Sequence, residues 1–306
     1  MMRDEVAPIP YMRALLTSAQ LGSLLVASEL LSEQSLAFVA LFLAGGVMLV
    51  LLPLLSKLCF RGTTEKNTLS LPVKWILCLL TLAHGGVVLW VTLRYLNATF
   101  LPHTPKWGLA LLMAVVPLYS LRRSDAAMMR LSRLLFPVTI FLIFLTLGYQ
   151  TQWSSLVQTI STLPWWEATY LPKQTLMLLC LIFLNPMVST PLIFPDIPRK
   201  DFLTSQRHAV LLSSLLIGLM MLMPVVTLGI PLFETLPHPL YSAANMVVHG
   251  TPLIRVDTLL STVFAFSIYT DLTLCMQTLR LTLRATMQKS KTPKRGDLPV
   301  ADAQQK

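Results

Sequence analysis

The sequence predicts an all-α polytopic membrane protein with about eight transmembrane helices, and three observations lead there. Apolar residues make up 54% of the chain and charged residues only 12%, with a mean hydropathy of +0.66. That balance lies outside the range of soluble domains of this size. The apolar residues are gathered into runs long enough to cross a bilayer as helices. The basic residues fall in alternate connections between those runs.

The segments follow in order. The first, about 14–31, is the least apolar, interrupted by Ser18, Gln20, Gly22, Ser23 and Ser28. The second, about 35–58, is strongly apolar. The third, about 75–96, carries His84-Gly85-Gly86. The fourth, about 107–121, is short and contains Pro117. The fifth, about 134–150, has Pro137 near its start. The sixth, about 174–195, is broken by Asn185-Pro186 and again by Pro191. The seventh, about 209–231, contains Pro224, and the eighth covers about 258–281. These make a single membrane domain over 1–284. The remainder, 285–306, is a basic tail without apolar period, expected to be disordered and cytoplasmic.

Orientation follows from lysine and arginine. With the N-terminus inside, Lys57, Arg61, Lys66 and Lys74 are inside, as are Arg122, Arg123, Arg130 and Arg133. Arg199, Lys200, Arg207 and the basic run from Arg280 to Arg295 join them. Only Arg94, Lys106, Lys173 and Arg255 fall outside. The alternation holds at every loop, which supports eight crossings with both termini inside. It also accounts for the net charge of +10. The charge marks topology and contacts anionic membrane lipid; no nucleic-acid partner is expected. The outer stretch 151–173 carries Trp153, Trp165, Trp166 and Tyr170, rings favoured at a headgroup interface. The outer stretch 233–256 has room for a short helix around Leu240–Val248. No cleaved signal peptide is expected, since the first apolar run ends in Glu29 and Glu33 without a small-residue cleavage site.

Enzyme signatures are absent: no His-Glu-x-x-His, no Gly-x-Ser-x-Gly, no phosphate-binding loop and no Cys-x-x-Cys. Cys59, Cys78, Cys180 and Cys275 stand far apart without metal-ligand spacing and read as reduced core or lipid-facing residues. No catalytic role, metal or cofactor is expected. Asn97-Ala98-Thr99 matches a glycosylation sequon, a short and weak match.

Polar residues inside the apolar runs carry the chemistry. Asp271 lies roughly 20 Å along the eighth helix, at 1.5 Å per residue. A carboxylate at that depth costs about 3 kcal/mol and must face protein or water. It is either a hydrogen-bonded structural carboxyl or a group for a ligand, an ion or a proton. His84 occupies the middle of the third helix, where packing and proton-carrying roles both remain open. Broken helices persist in membranes where the freed backbone lines a cavity or is buried in protein. Gly22-Ser23 interrupts the first helix and Asn185-Pro186 the sixth. Interruptions at corresponding positions of two halves, here as a five-plus-five inverted repeat requires, are the sequence pointer to a transporter-type site. For either break alone, a kink or a packing contact is the plainer reading. Ser189, Thr190, Thr270 and Thr273 lie at similar depth, although such hydroxyls usually bond back to their own helix.

Several stretches together resemble the spore germination permeases, the integral-membrane B subunits of nutrient germinant receptors in the amino acid–polyamine–organocation superfamily. Gln20-Leu21-Gly22-Ser23 is similar to that family's Ile-Gly-Ser/Thr near its start. Leu101-Pro102-His103-Thr104-Pro105 looks like its Leu-Pro-x-Thr-Pro before the fourth helix. Leu131 to Pro137 is similar to its Ala-Arg-…-Phe-Pro entry to the fifth, and Phe194-Pro195 falls at the end of the sixth. His238-Pro239-Leu240 through Ile254-Arg255-Val256-Asp257 is similar to its run into the eighth. The likeness is dispersed over residues 14–281.

The resemblance implies a permease fold of about ten helices, so this chain would be a truncated version of it. The family's Gly-Glu-like pair in the sixth helix falls at Asn185-Pro186, without the acid. It also implies a small nutrient ligand, an amino acid above all, bound in the membrane to signal germination. Gly22, Ser23, His84, Asn185, Ser189, Thr270 and Asp271 are the candidate ligand-binding residues. The implied partners are a membrane-anchored A subunit and a lipoprotein C subunit, in the cell membrane, specifically the spore inner membrane. Two alternatives stand beside it: a secondary transporter of amino acids or organic cations coupled through Asp271 or His84, and an assembly subunit that binds nothing.

Overall fold

The computed structural model describes residues 9–31, 34–60, 71–122, 125–150, 153–195, 197–236, 238–247 and 256–290. Among them no strand occurs. Among the described residues six helical stretches are long and apolar enough to cross a membrane: Ala37–Lys57, Trp75–Thr99, Ala127–Gly148, Ala168–Ile193, Arg199–Leu228 and Thr258–Arg284. The protein is an integral membrane protein with an all-α fold. The other two expected spans fall short in single-helix length. The first is divided into α1 (Ile9–Gly22) and α2 (Leu24–Leu30) by Ser23. The fourth, α5 (Lys106–Ser120), has 15 residues.

The remaining elements are α3 (Ala37–Phe60), α4 (Leu71–Thr99), α6 (Asp125–Gln150) and α7 (Trp153–Ser161). A 3₁₀ turn, Trp165–Tyr170, leads into α8 (Leu171–Leu178). A π-helical stretch, Leu179–Leu184, joins α8 to α9 (Asn185–Ile193). Then come α10 (Arg199–Leu228), α11 (Ile230–Thr235), α12 (Pro239–Val247) and α13 (Val256–Ser290). The fifth segment begins at Asp125 rather than near 134, because basic residues can continue a helix into the interface. Arg133 there lies over the Tyr11 ring at 4.4 Å, a cation–π contact that holds α6 to α1. The last helix runs on to Ser290, past the expected start of a disordered tail at 285; residues 291–306 lie outside the described residues. The short helix expected near 240 is α12, with Leu240, Ala243 and Ala244 buried where it packs on α10 and α13.

Packing explains why the first segment reads so weakly. Every residue from Ala14 to Ser28 is buried. A helix surrounded by other helices needs no lipid-facing stripe, so its Ser, Gln and Gly residues meet protein. Lipid-facing apolar side chains sit instead on the periphery: Val50 on α3, Ile76, Leu79 and Trp90 on α4, Leu134, Phe141 and Phe144 on α6. The hub is α13, which packs against α1, α4, α5, α6, α9 and α12. It also caps α5: Gln277 Nε2 donates to the Ser120 carbonyl at 3.3 Å, and Arg280 donates to the Leu121 carbonyl. Those carbonyls at a helix end have no intrahelical partner and carry negative partial charge, which the guanidinium offsets. At the other end of the bundle α10 stops at Gly229, whose φ of 74° suits glycine and turns the chain into α11.

Candidate functional site

Helices α1 and α13 meet at Gly22. A Cβ placed on Gly22 would lie 2.6 Å from Asp271 Cβ and 2.6 Å from the Ser267 carbonyl oxygen. The absent side chain is therefore what brings the first helix against the acid of the last. On the other side of Asp271 stands α4. His84 Nε2 lies 3.0 Å from Asp271 Oδ2, and the two side chains are 6% and 0% exposed. A buried carboxylate needs such a partner, since an isolated one is costly in a low-dielectric interior. The other carboxylate oxygen, Oδ1, is buried without a hydrogen-bond partner, and so is Ser267 Oγ one turn earlier. A buried acceptor of this strength left unmatched is uncommon and calls for an explanation.

One turn further along α13 comes Cys275. Its Sγ is 3.4 Å from Asn185 Nδ2, and Asn185 Oδ1 accepts from Ser189 Oγ at 3.1 Å. Gly85 faces the thiol: a Cβ placed on it would lie in ordinary van der Waals contact with Cys275, 3.5 Å from its Cβ. Donor and acceptor at Asn185 can exchange by an amide flip, since both Ser Oγ and the thiol can donate or accept. Four helical elements thus meet: α1 at Gly22, α4 at His84, α9 at Asn185 and α13 at Asp271 and Cys275.

The two helix interruptions are joined. In a π-helical winding the amide of residue 186 would serve the Leu181 carbonyl, and Pro186 has no amide hydrogen. Ser23 Oγ donates to that carbonyl instead, at 3.3 Å. The break in the first helix is only one residue wide. Ser23 N donates to Gln20 O at 3.2 Å and Ser23 O accepts from Ala27 N at 2.8 Å, so the backbone groups of Ser23 are paired. The sixth helix is widened rather than unwound, which keeps it continuous through Ala168–Ile193.

Of the residues singled out by sequence, the structure gathers Gly22, His84, Asn185, Ser189 and Asp271 around one point, with Ser23 tied to it through Leu181. Thr270 lies next to Asp271 in the chain, but its hydroxyl bonds back to the Phe266 carbonyl at 3.0 Å. Sequence reasoning overlooked Cys275 as part of the cluster. The signal was there: Asp271 and Cys275 are four apart on one helix, which places them on one face. It also overlooked a buried seam between α1 and α10, where Ser213 Oγ donates to Gln20 Oε1 at 2.6 Å and both amide atoms of Gln206 are buried without partners.

The fold and site define an integral membrane protein of helical bundle type, with a polar centre where an interrupted first helix crosses the last. No protein-family model matches the chain, and no curated protein or solved structure matches it either.

Proposed function

We propose that the protein is a permease-fold receptor of the germinant-receptor B-subunit kind, which binds a small ammonium-bearing nutrient, an amino acid above all, at the His84–Asp271 centre. The observation that carries the reading is the buried, unpartnered Asp271 Oδ1 with Ser267 Oγ one turn earlier, where the interrupted first helix crosses α13. A primary ammonium has three donors to offer such acceptors. Because α1 packs tightly on α13 at Gly22, a ligand at Asp271 separates the two helices, and that displacement is the signal passed to partner subunits. In this reading the chain crosses the membrane eight times with both termini inside. Its helices follow the order of a five-plus-five inverted repeat, and it sits in the spore inner membrane and works with A and C subunits.

Binding and uptake are separable in proteoliposomes. Receptor function predicts saturable binding of a labelled amino acid, lost in Asp271→Asn, with no accumulation under an imposed proton gradient. Accumulation abolished by Asp271→Asn and retained by Asp271→Glu would replace the receptor with a proton-coupled transporter. The second reading rests on the same pair, since a histidine and a carboxylate 3.0 Å apart can pass a proton between them. Absence of both binding and uptake would leave an assembly subunit.

A further inference from the structure

The polar centre holds a third kind of donor that neither nutrient binding nor proton coupling uses. His84, Asp271 and Cys275 each present one ligating atom, these atoms all lie within 4.8 Å of one another, and all three residues are buried. The donors are an imidazole nitrogen, a carboxylate oxygen and a thiol sulfur. Asp271 and Cys275 come from successive turns of one helix face, the i, i+4 arrangement by which a helix offers two ligands to one ion. His84 comes from the facing helix. Asn185, 3.4 Å from Cys275 Sγ, has an amide oxygen that an amide flip would turn toward the sulfur.

We propose that His84, Asp271 and Cys275 bind a single divalent transition-metal ion of the zinc class, with the Asn185 amide oxygen within reach as a fourth donor. Donor chemistry selects the class. Calcium and magnesium take all-oxygen sets, whereas a mixed nitrogen, oxygen and sulfur set suits zinc and its neighbours. Size sets the movement required: donors at about 2.0–2.3 Å from one ion lie about 3.3–3.7 Å apart in a tetrahedral set, so a spread of up to 4.8 Å closes by about 1 Å through rotamer changes of the three side chains. Charge agrees as well. The thiol releases its proton to solvent on coordination, and thiolate plus carboxylate then cancel a divalent ion. A neutral complex is what an apolar surrounding favours. The unpartnered Asp271 Oδ1 is a further acceptor at the ion's edge. Spacing along the chain conceals the site, because the histidine lies on a different helix from the acid and the thiol.

The metal site does not depend on the amino-acid reading, and its test contains no organic ligand. Cobalt(II) is titrated into the full-length chain in nanodiscs, with Cys59, Cys78 and Cys180 replaced by serine so that Cys275 is the only thiol. The expected result is about one cobalt per chain and a thiolate-to-cobalt charge-transfer band. Cys275→Ser abolishes the band, and His84→Gln weakens binding at least tenfold. X-ray absorption on the zinc-loaded native chain supplies a readout that needs no variant: one sulfur at about 2.3 Å with nitrogen or oxygen at about 2.0–2.2 Å. No retained metal, a shell without sulfur, or a band that survives Cys275→Ser would overturn the proposal.

Discussion

Two histidine–carboxylate pairs in this protein have the same chemistry in different surroundings. His84 and Asp271 meet at 3.0 Å in the middle of the bundle, 6% and 0% exposed. His238 and Glu29 meet at 2.5 Å, 14% and 13% exposed, where the end of α2 reaches the residue before α12. The second pair is set among rings. Tyr95 meets His238 edge to face at 5.7 Å between centroids and also touches Phe100, Tyr241 and Phe264. His238 adopts a positive φ of 59°, an uncommon backbone state that tertiary contacts must hold. That pair ties two elements together near a helix end. Among the described residues no ring pairs with His84, and around the first pair stand a spare buried carboxylate oxygen, a thiol, an amide and two helix interruptions. The pairing alone therefore does not make a site. What separates the two is depth, together with unmet hydrogen-bonding capacity beside the deep pair.

Substitutions can break this difference or sharpen it. The largest effect is expected for His84→Leu, which leaves Asp271 buried without its partner. Breaking a buried pair from one side costs about 3–5 kcal/mol, read as a lowered unfolding midpoint in nanodiscs. Next comes Gly22→Ala. Its new methyl group meets the Ser267 backbone and Asp271 Cβ, neither of which can swing away. Overpacking of this kind costs about 1–3 kcal/mol. His238→Asn, which tolerates the positive φ at this position, is expected to cost less than His84→Leu, since the His238–Glu29 pair keeps some access to water. A loss equal to that of His84→Leu would remove the distinction between the two pairs. The smallest effect is expected for Gly86→Ala. Nothing lies within 4 Å of a Cβ there, and alanine is the better helix former by up to about 1 kcal/mol.

Much of the fold was legible because membrane helices announce themselves by length and hydropathy, and α3, α4, α6, α10 and α13 each overlap an expected segment, although α10 begins about ten residues before its own and stops at Leu228. The central first segment was harder to read. Complete enclosure by protein removes the need for apolar residues, so its polar content reflected position rather than weakness as a helix. The interruptions at Gly22-Ser23 and Asn185-Pro186 were visible, since glycine and proline act on the backbone locally. Their form was not. Whether a proline unwinds a helix or widens it depends on which group satisfies the freed carbonyl, and here that is Ser23, far away in sequence. For the same reason Asp271 could be singled out alone, whereas its pairing with His84 and its proximity to Asn185 through Cys275 depend on how α4, α9 and α13 cross. The count of long spans differs from eight because the first segment is divided and α5 is short.

The most direct test of the Asp271 centre as a ligand site is the thermal stability of the purified protein against a panel of amino acids, in parallel with Asp271→Asn and His238→Asn. A ligand that binds only the folded protein stabilises it by about 2.7 kcal/mol at a hundredfold excess over its dissociation constant. The expected result is an upward shift from a particular amino acid, kept in His238→Asn and lost in Asp271→Asn. A shift that persists in Asp271→Asn, or no shift from any member of the panel, would contradict a ligand site at Asp271.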